Sequence, residues 1–336
     1  MKKIAIIGHR GACAYAPENT LPGYKLAMSM GVDSIDVDVV ATKDKILVAY
    51  HDLMINPDVL CSDSGEYLAN SKIELLKYTK DADLERILIK NMTWQQLKQN
   101  YRVKLNYNSS YAKWFPEQKN YPATELSTLQ EIVDFVDIAT NKAMLIQIEI
   151  KNDFDFPNWS YAPQELAKII YDFIMKNQLI ERVKVQAFDW RILAFLTQMN
   201  SHIKTAYLAR YTLKDKWQQL FANSIITKTA TAMKITQLDS ITVLNLVKQL
   251  GGYSYEPEDT QLTHECIRTA HKLGLKIFGW RWPDQSGSTY DIELFKTLIR
   301  WDVDGIITDN PDILRELLNS LGYPVPKQYH TTIFNI

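Results

Sequence analysis

Short apolar runs closed by polar residues alternate along this chain with longer stretches whose apolar residues recur at helical spacing. The first run, IAIIG at 4–8, ends on glycine and predicts a buried strand. The loop HRGACAYAPENT follows. Asn19 or Thr20 can cap the next helix, and Pro22 suits its first turn. Leu21, Tyr24 and Met28 make one apolar face, and Gly31 ends the helix. SIDVDV at 34–39 alternates strictly, with Asp36 and Asp38 on one face and Ile35, Val37 and Val39 on the other. After the turn TKDK, ILVAYHD at 46–52 predicts a hairpin partner for that strand.

Residues 53–123 change character. They are polar, rich in Asp, Lys, Asn and Tyr, and carry little sustained period beyond a short helix at 92–101. The segment is too long for an idle loop and is expected to be an inserted cap of irregular structure. Regular alternation then resumes. Thr128 and Glu131 form a capping box. Strands are predicted at 143–151, 183–188, 205–209, 251–255, 276–280 and 305–309, with helices between them opened by Pro163, Asp189, Thr263 and Asn310-Pro311. A weaker helical pattern covers 213–223, and the polar, proline-broken tail at 322–336 is expected to be loose.

Eight strand–helix units emerge, with ILVAYHD as an extra strand beside the second. That repetition favours a closed parallel (β/α)8 barrel of the TIM type over an open doubly wound sheet. At 336 residues the chain fits one such barrel at 1–320 with the cap inserted and a tail at 321–336. A net charge of −1 gives no global field to draw the protein to nucleic acid or an anionic membrane. The three cysteines are far apart, suggesting neither a disulfide framework nor a Cys-x-x-Cys metal site. The N-terminal apolar run is too short for a signal peptide, and no run approaches a membrane span. A soluble, cytoplasmic protein is expected.

In such a barrel, catalytic side chains gather at the C-terminal ends of the strands. His9 and Arg10 follow the first strand, Asp36 and Asp38 end the second, and His51 ends its hairpin partner. Glu149 and Lys151 end the third strand, Trp280 the seventh and Asp309 the eighth. Asp36, Asp38 and Glu149 are three hard oxygen donors whose mutual repulsion a divalent cation, Mg²⁺, Ca²⁺ or Mn²⁺, would relieve. An alternating acidic strand is more often a solvated face, but a barrel strand is covered on both sides. His9 and His51, near neutral pKa by nature, suit an acid/base pair. Arg10 and Lys151 suit phosphate oxygens, the bland reading being ion pairs with the nearby acids. Paired acids alone would also fit a glycosidase. The histidines and the two cations favour a phosphoryl substrate. His202, His264, His271 and His330 lack this context and are read as ordinary histidines.

Taken together, G-H-R-G…P-E-N-T, I-D-V-D, H-D, I-E-I-K and G-I-I-T-D-N-P resemble the glycerophosphodiester phosphodiesterase family. The likeness is strong over 4–52 and 147–151 and faint over 53–123. The resemblance implies a TIM-type barrel with a small inserted subdomain and one divalent metal. It implies hydrolysis of glycerophosphodiesters to glycerol 3-phosphate and an alcohol, through attack of a glycerol hydroxyl and a cyclic phosphate. It assigns His9 and His51 as acid and base, and Asp36, Asp38 and Glu149 as metal carboxylates with Glu18 joining their shell. Arg10 and Lys151 would contact phosphate, and Trp280 would wall the pocket. The chain departs from the family in having Asp36 where Glu is usual, and Gln186-Ala187-Phe188 where a Ser-Phe pattern is usual. Rival substrates on the same fold are those of a lysophospholipase D or a phospholipase C-like enzyme, with a lipid leaving group. A rival of another class is a catalytically silent glycerophosphodiester-binding protein. Tyr101, Tyr107, Tyr111, Trp114 and Phe115 are expected chiefly to form the cap's own small core.

Overall fold

The computed structural model of the chain describes residues 2–78, 81–118, 121–210, 224–233, 239–281 and 289–330. The first half of the barrel opens with β1 (Ala5–Gly8), α1 (Leu21–Met30) and β2 (Ser34–Ala41). Thr20 caps α1, and Gly31 ends it at φ 84°. β3 (Leu47–Ala49) pairs antiparallel to β2, so the hairpin strand is shorter than ILVAYHD and His51 lies beyond it.

The next segment is more ordered than its composition suggests. β4 (Leu60–Ser62), α2 (Lys72–Tyr78), α3 (Asp81–Ile87), α4 (Trp94–Asn100) and β5 (Tyr101–Val103) follow in order, and β4 pairs antiparallel to β5. Thr93 and Gln96 form a capping box on α4. Leu60, Ile89, Leu97 and Val103 share a core with Val40, Val48 and Tyr50 of the β2–β3 hairpin. The pattern is hard to read because each element is short and its apolar partners lie in the barrel.

The chain then runs α5 (Leu129–Thr140), β6 (Leu145–Ile150), α6 (Pro163–Lys176), β7 (Val183–Ala187), α7 (Trp190–Met199) and β8 (Lys204–Ala209). It continues through α8 (Ser224–Ala232), α9 (Ser240–Gln249), β9 (Ser254–Pro257), α10 (His264–Lys272), β10 (Lys276–Trp280), α11 (Ile292–Arg300), β11 (Gly305–Thr308) and α12 (Pro311–Ser320). The helical region expected at 213–223 lies outside the described residues. β9 sits later than the expected 251–255, because Gly251, at φ 78°, and Gly252 hydrogen-bond back to Lys248 and Val247 and close α9. The tail is not loose as far as His330: Tyr329 N–H donates to the Met28 carbonyl at 2.9 Å, and Arg315 holds the Pro326 carbonyl at 2.6 Å.

The strands lie in the order β1-β11-β10-β9-β8-β7-β6-β2, and β1 pairs with β2 to close a barrel of eight parallel strands. Alternation divides each strand between two environments. Ile35, Val37, Val39, Ile146 and Ile148 face the helices and pack with Ile132, Leu166 and Ile170. The other face fills the barrel, and there the interior is split. On one side Ile7, Phe278 and Ile307 make a small apolar cluster. On the other, Asp36, Asp38, Gln147, Glu149, Gln186 and Glu256 are all buried.

Deleting buried atoms leaves a cavity, and deleting exposed ones does not. Ile148 is 0% exposed and Ile138 is 58% exposed. Ile148→Ala is expected to cost about 2–5 kcal/mol of stability and Ile138→Ala no more than about 0.5 kcal/mol, read from urea unfolding midpoints.

Candidate active site

The C-terminal ends of the barrel strands open into one cavity of about 700 Å³. His9, Arg10, Asp36, His51, Glu149, Lys151 and Trp280 all line it. Asp38 and Glu18 are buried behind that surface. The nine residues expected from the sequence therefore occupy one region, seven on the wall and two beneath it.

β1 delivers His9 and Arg10 through a tight turn. Arg10 has φ 49° and Gly11 φ 95°, so successive residues take left-handed backbone. A side chain at Gly11 would meet the Gly23 carbonyl carbon at 2.6 Å, so the turn requires glycine there. The turn aims the two side chains at different partners. His9 Nδ1 lies 2.5 Å from Asp309 Oδ1 at the end of β11. Arg10 Nη1 donates to both Glu18 oxygens at 3.1 and 3.2 Å, and its Nε lies 2.8 Å from Asp38 Oδ2. Tyr111, from the segment between β5 and α5, donates a short hydrogen bond to Glu18 and accepts one from Arg10 at 3.2 Å. Glu18 thus braces Arg10 rather than facing the cavity, because its oxygens are taken by the guanidinium and the phenol.

The acids arrive in register. Asp38 pairs with Glu149 across β2 and β6, and Glu149 with Gln186 across β6 and β7. Lys151 Nζ is held against Glu149 and lies 3.4 Å from Asp38 Oδ1. Asp38 Oδ2 accepts from Asn19 at 2.9 Å, whereas its Oδ1 is buried without a hydrogen bond. Gln186 donates to Asp36 Oδ1 at 2.7 Å. The two aspartates are pushed in opposite directions. Burial and the neighbouring Asp38, Glu149 and Glu256, against the opposing charge of His9, leave the Asp36 carboxyl well above its ordinary range. Against the same burial, Lys151, Arg10 and the two histidines hold Asp38 well below it. A buried acid with one oxygen that accepts no hydrogen bond and has only the Lys151 ammonium nearby, beside an acid that resists ionisation, suits a hard cation bound to oxygen. Among the described residues, however, the only group of three or more His, Cys, Asp or Glu side chains with ligand atoms all within 4.8 Å of one another is His9, Cys13 and Asp309. The Lys151 ammonium stands between Asp38 and Glu149, supplying the positive charge there.

The histidines also differ. Burial and Arg10 lower the His9 pKa, but Asp309 and Asp36 outweigh them and raise it above 6.5. Burial, Arg10 and Lys151 lower that of His51 below 6.5, with Asp52 in partial opposition at 3.5 Å. Asp52 is tied in turn to Asn56 at 2.8 Å and to Lys72 of α2.

Several participants were absent from the expected set. Asp309 was visible as a strand-end acid, but its pairing with His9 spans 300 positions. Glu256 lay one residue past the expected end of β9; it binds Lys184 and accepts from Ser254 at 2.8 Å. Its alternation with Ser254 was the available signal. The aromatic residues of the insertion do more than form its own core. Tyr111, Trp114 and Phe115 line the cavity, and Phe115 packs on Cys13 of the barrel loop.

Comparison with known proteins agrees with this fold. Residues 9–313 match the model of the glycerophosphoryl diester phosphodiesterase family. A glycerophosphodiester phosphodiesterase of Caldanaerobacter subterraneus subsp. tengcongensis is 25% identical over 321 residues, covering 95% of this chain and 100% of that one. The crystal structure of a Silicibacter pomeroyi protein is similar in fold, with TM-score 0.77 at 22% identity over 96% of this chain and 95% of that one. An Oleispira antarctica phosphodiesterase in complex with the product sn-glycerol-3-phosphate has TM-score 0.61 at 15% identity, covering 94% of this chain and 97% of that one. With a match that runs from His9 at the end of β1 into α12 after the last barrel strand, the chain belongs to the glycerophosphoryl diester phosphodiesterase family.

Proposed function

We propose that this phosphoric diester hydrolase cleaves glycerophosphodiesters to glycerol 3-phosphate and an alcohol, using His51 as base and His9 as acid. The observation that carries this reading is the pair of histidines lining one cavity with pKa values moved in opposite directions. His51, held neutral, accepts the proton of the glycerol hydroxyl that attacks phosphorus. His9, favoured as imidazolium with Nδ1 against Asp309, donates from Nε2 to the departing alkoxide. The resulting cyclic phosphate is opened by water as the two histidines exchange roles. The product found in the Oleispira antarctica phosphodiesterase supports the glycerol 3-phosphate side of this reaction.

Asp36, Asp38 and Glu149 would hold one divalent cation, Mg²⁺ or Ca²⁺. When bound, the cation supplies Lewis-acid stabilisation of charge on the phosphoryl oxygens. Lys151 and Arg10 contribute positive charge on the same wall and orient the phosphate. Asp309 keeps the His9 ring in one orientation, and Asp52 does the same for His51. Trp280 is fixed by its indole N–H, which donates to the Glu256 carbonyl at 2.9 Å, and meets Phe188 edge-on. These rings, with Trp114 and Phe115 of the same cavity, offer apolar surface to the leaving alcohol. That surface also favours a second substrate, a lysophospholipid, whose hydrolysis is to be compared with that of glycerophosphocholine.

His9→Ala and His51→Ala are each expected to lower glycerol 3-phosphate release from glycerophosphocholine by about 10²–10⁴-fold, and EDTA to abolish it in the wild type. Undiminished release in either variant would remove that histidine from the reaction. Tight binding of glycerophosphocholine without release under any metal would instead make the chain a binding protein.

The pH profile separates the roles. The base must be neutral, so kcat/KM rises with pH through a pKa below 6.5, the ordinary histidine value from which His51 is lowered. The acid must be protonated, so kcat/KM falls through a pKa above 6.5, in the direction His9 is raised. Residual activity of His51→Ala is expected to lose the rising limb and that of His9→Ala the falling limb. A swap of these two losses would reverse the assignment.

A further inference from the structure

Beside the carboxylates lies a donor set of another chemical kind. Cys13 Sγ donates to Asp309 Oδ1 at 2.9 Å and lies 4.0 Å from His9 Nδ1, while His9 Nδ1 is 2.5 Å from the same Asp309 oxygen. One nitrogen, one sulfur and one oxygen therefore converge on a common point from β1, its following loop and the end of β11. His9 and Asp309 line the cavity, and Cys13 is buried behind them in a small apolar cluster with Leu105 and Phe115. An ion arriving from the cavity would meet His9 and Asp309 first and Cys13 behind them.

We propose that His9, Cys13 and Asp309 form a second metal site, inhibitory and selective for a thiophilic divalent ion such as Zn²⁺ or Cd²⁺. The chemistry of the donors separates it from the oxygen-only set of Asp36, Asp38 and Glu149. Hard Mg²⁺ and Ca²⁺ gain little from sulfur or imidazole, whereas Zn²⁺ takes Cys, His and carboxylate ligands together with an open position. Binding forms Zn–S, Zn–N and Zn–O bonds. It breaks the hydrogen bonds within the trio, and the Cys13 thiol proton passes to solvent, as does any proton on His9 Nδ1. Burial and Asp309 hold that thiol protonated in the ion-free protein, so the site rests in its hydrogen-bonded form until a soft ion displaces the proton.

Inhibition follows from which imidazole nitrogen is engaged. Metal on Nδ1 takes the place of that nitrogen's proton and of its Asp309 contact, and leaves Nε2–H on a metal-bound imidazole, a far weaker acid than imidazolium, so His9 no longer delivers that proton to the departing alkoxide. This consequence rests on the acid role of His9 given above. Occupancy of the site does not.

The test uses the full chain in saturating Mg²⁺. Titration with Co²⁺ is expected to produce a near-ultraviolet thiolate-to-cobalt charge-transfer band in the wild type and none in Cys13→Ser. Serine keeps a donor for Asp309 but is a poor ligand for a soft ion. Zn²⁺ or Cd²⁺ is expected to inhibit glycerophosphocholine hydrolysis in a way that excess Mg²⁺ does not relieve, and Cys13→Ser to weaken that inhibition by about 10–100-fold. Absence of the band in the wild type would overturn the site, and that reading does not depend on the variant folding. Inhibition unchanged by Cys13→Ser, or fully reversed by Mg²⁺, would place the ion among the carboxylates and overturn the inhibitory role. A band in a protein that hydrolyses nothing would leave the site standing and sink the reaction instead.

Discussion

The structure depends on neutralising carboxylates inside a closed barrel. Asp38 is fully buried, and its charge is balanced by Arg10 Nε at 2.8 Å and Lys151 Nζ at 3.4 Å. Breaking one side of such a buried pair costs about 3–5 kcal/mol, because the remaining charge has no solvent to turn to. The order of parts around the cavity follows from this requirement. Arg10 must reach inward, so the turn after β1 takes left-handed backbone at two successive residues. Its other face needs a partner, so Glu18 is buried too, and Tyr111 is drawn in from the inserted segment to satisfy Glu18.

The same constraint explains why the barrel interior is not uniform. The acids of β2 and β6 sit beside the amides of Gln147 and Gln186 and, deeper, the Lys184–Glu256 pair. The opposite wall, Ile7, Phe278 and Ile307, needs no partners and supplies tight packing instead. Lys184 crosses between the halves, its ammonium 3.7 Å from the Phe278 ring centroid. A substrate entering from the C-terminal end therefore meets charge on one side and apolar surface on the other. That arrangement suits a phosphodiester whose phosphate and alcohol differ in polarity.

The insertion between β3 and α5 belongs to the site as much as to its own small core. Tyr111 holds Glu18, Gln118 donates to the Cys13 carbonyl, and Lys72 holds Asp52 beside His51. Each contact ends on the loop after β1 or on the segment after β3, the two places that carry the histidines. The insertion is thus tied to both of those segments.

The sequence by itself determined the local parts. SIDVDV and LIQIEI alternate with period two, so their acids had to share a face. Thr20, Thr128, Asp189 and Thr263 announce helix starts by hydrogen bonds within a few residues, and Gly31 announces an end by a backbone angle few other residues adopt. Strand-end placement of His9, Asp36, Glu149, Lys151 and Trp280 was legible for the same reason: it needs only the span of a single strand. Tertiary structure decided the pairings. Arg10 had several acids within plausible reach and took Glu18 and Asp38. His9 met Asp309 only because β11 closes the barrel against β1, and Cys13 joined them by the same closure. Glu256 became part of the interior once two glycines ended α9 and shifted β9 along the chain. Which charge faces which depends on three-dimensional register between strands far apart in sequence, and no local pattern carries that register.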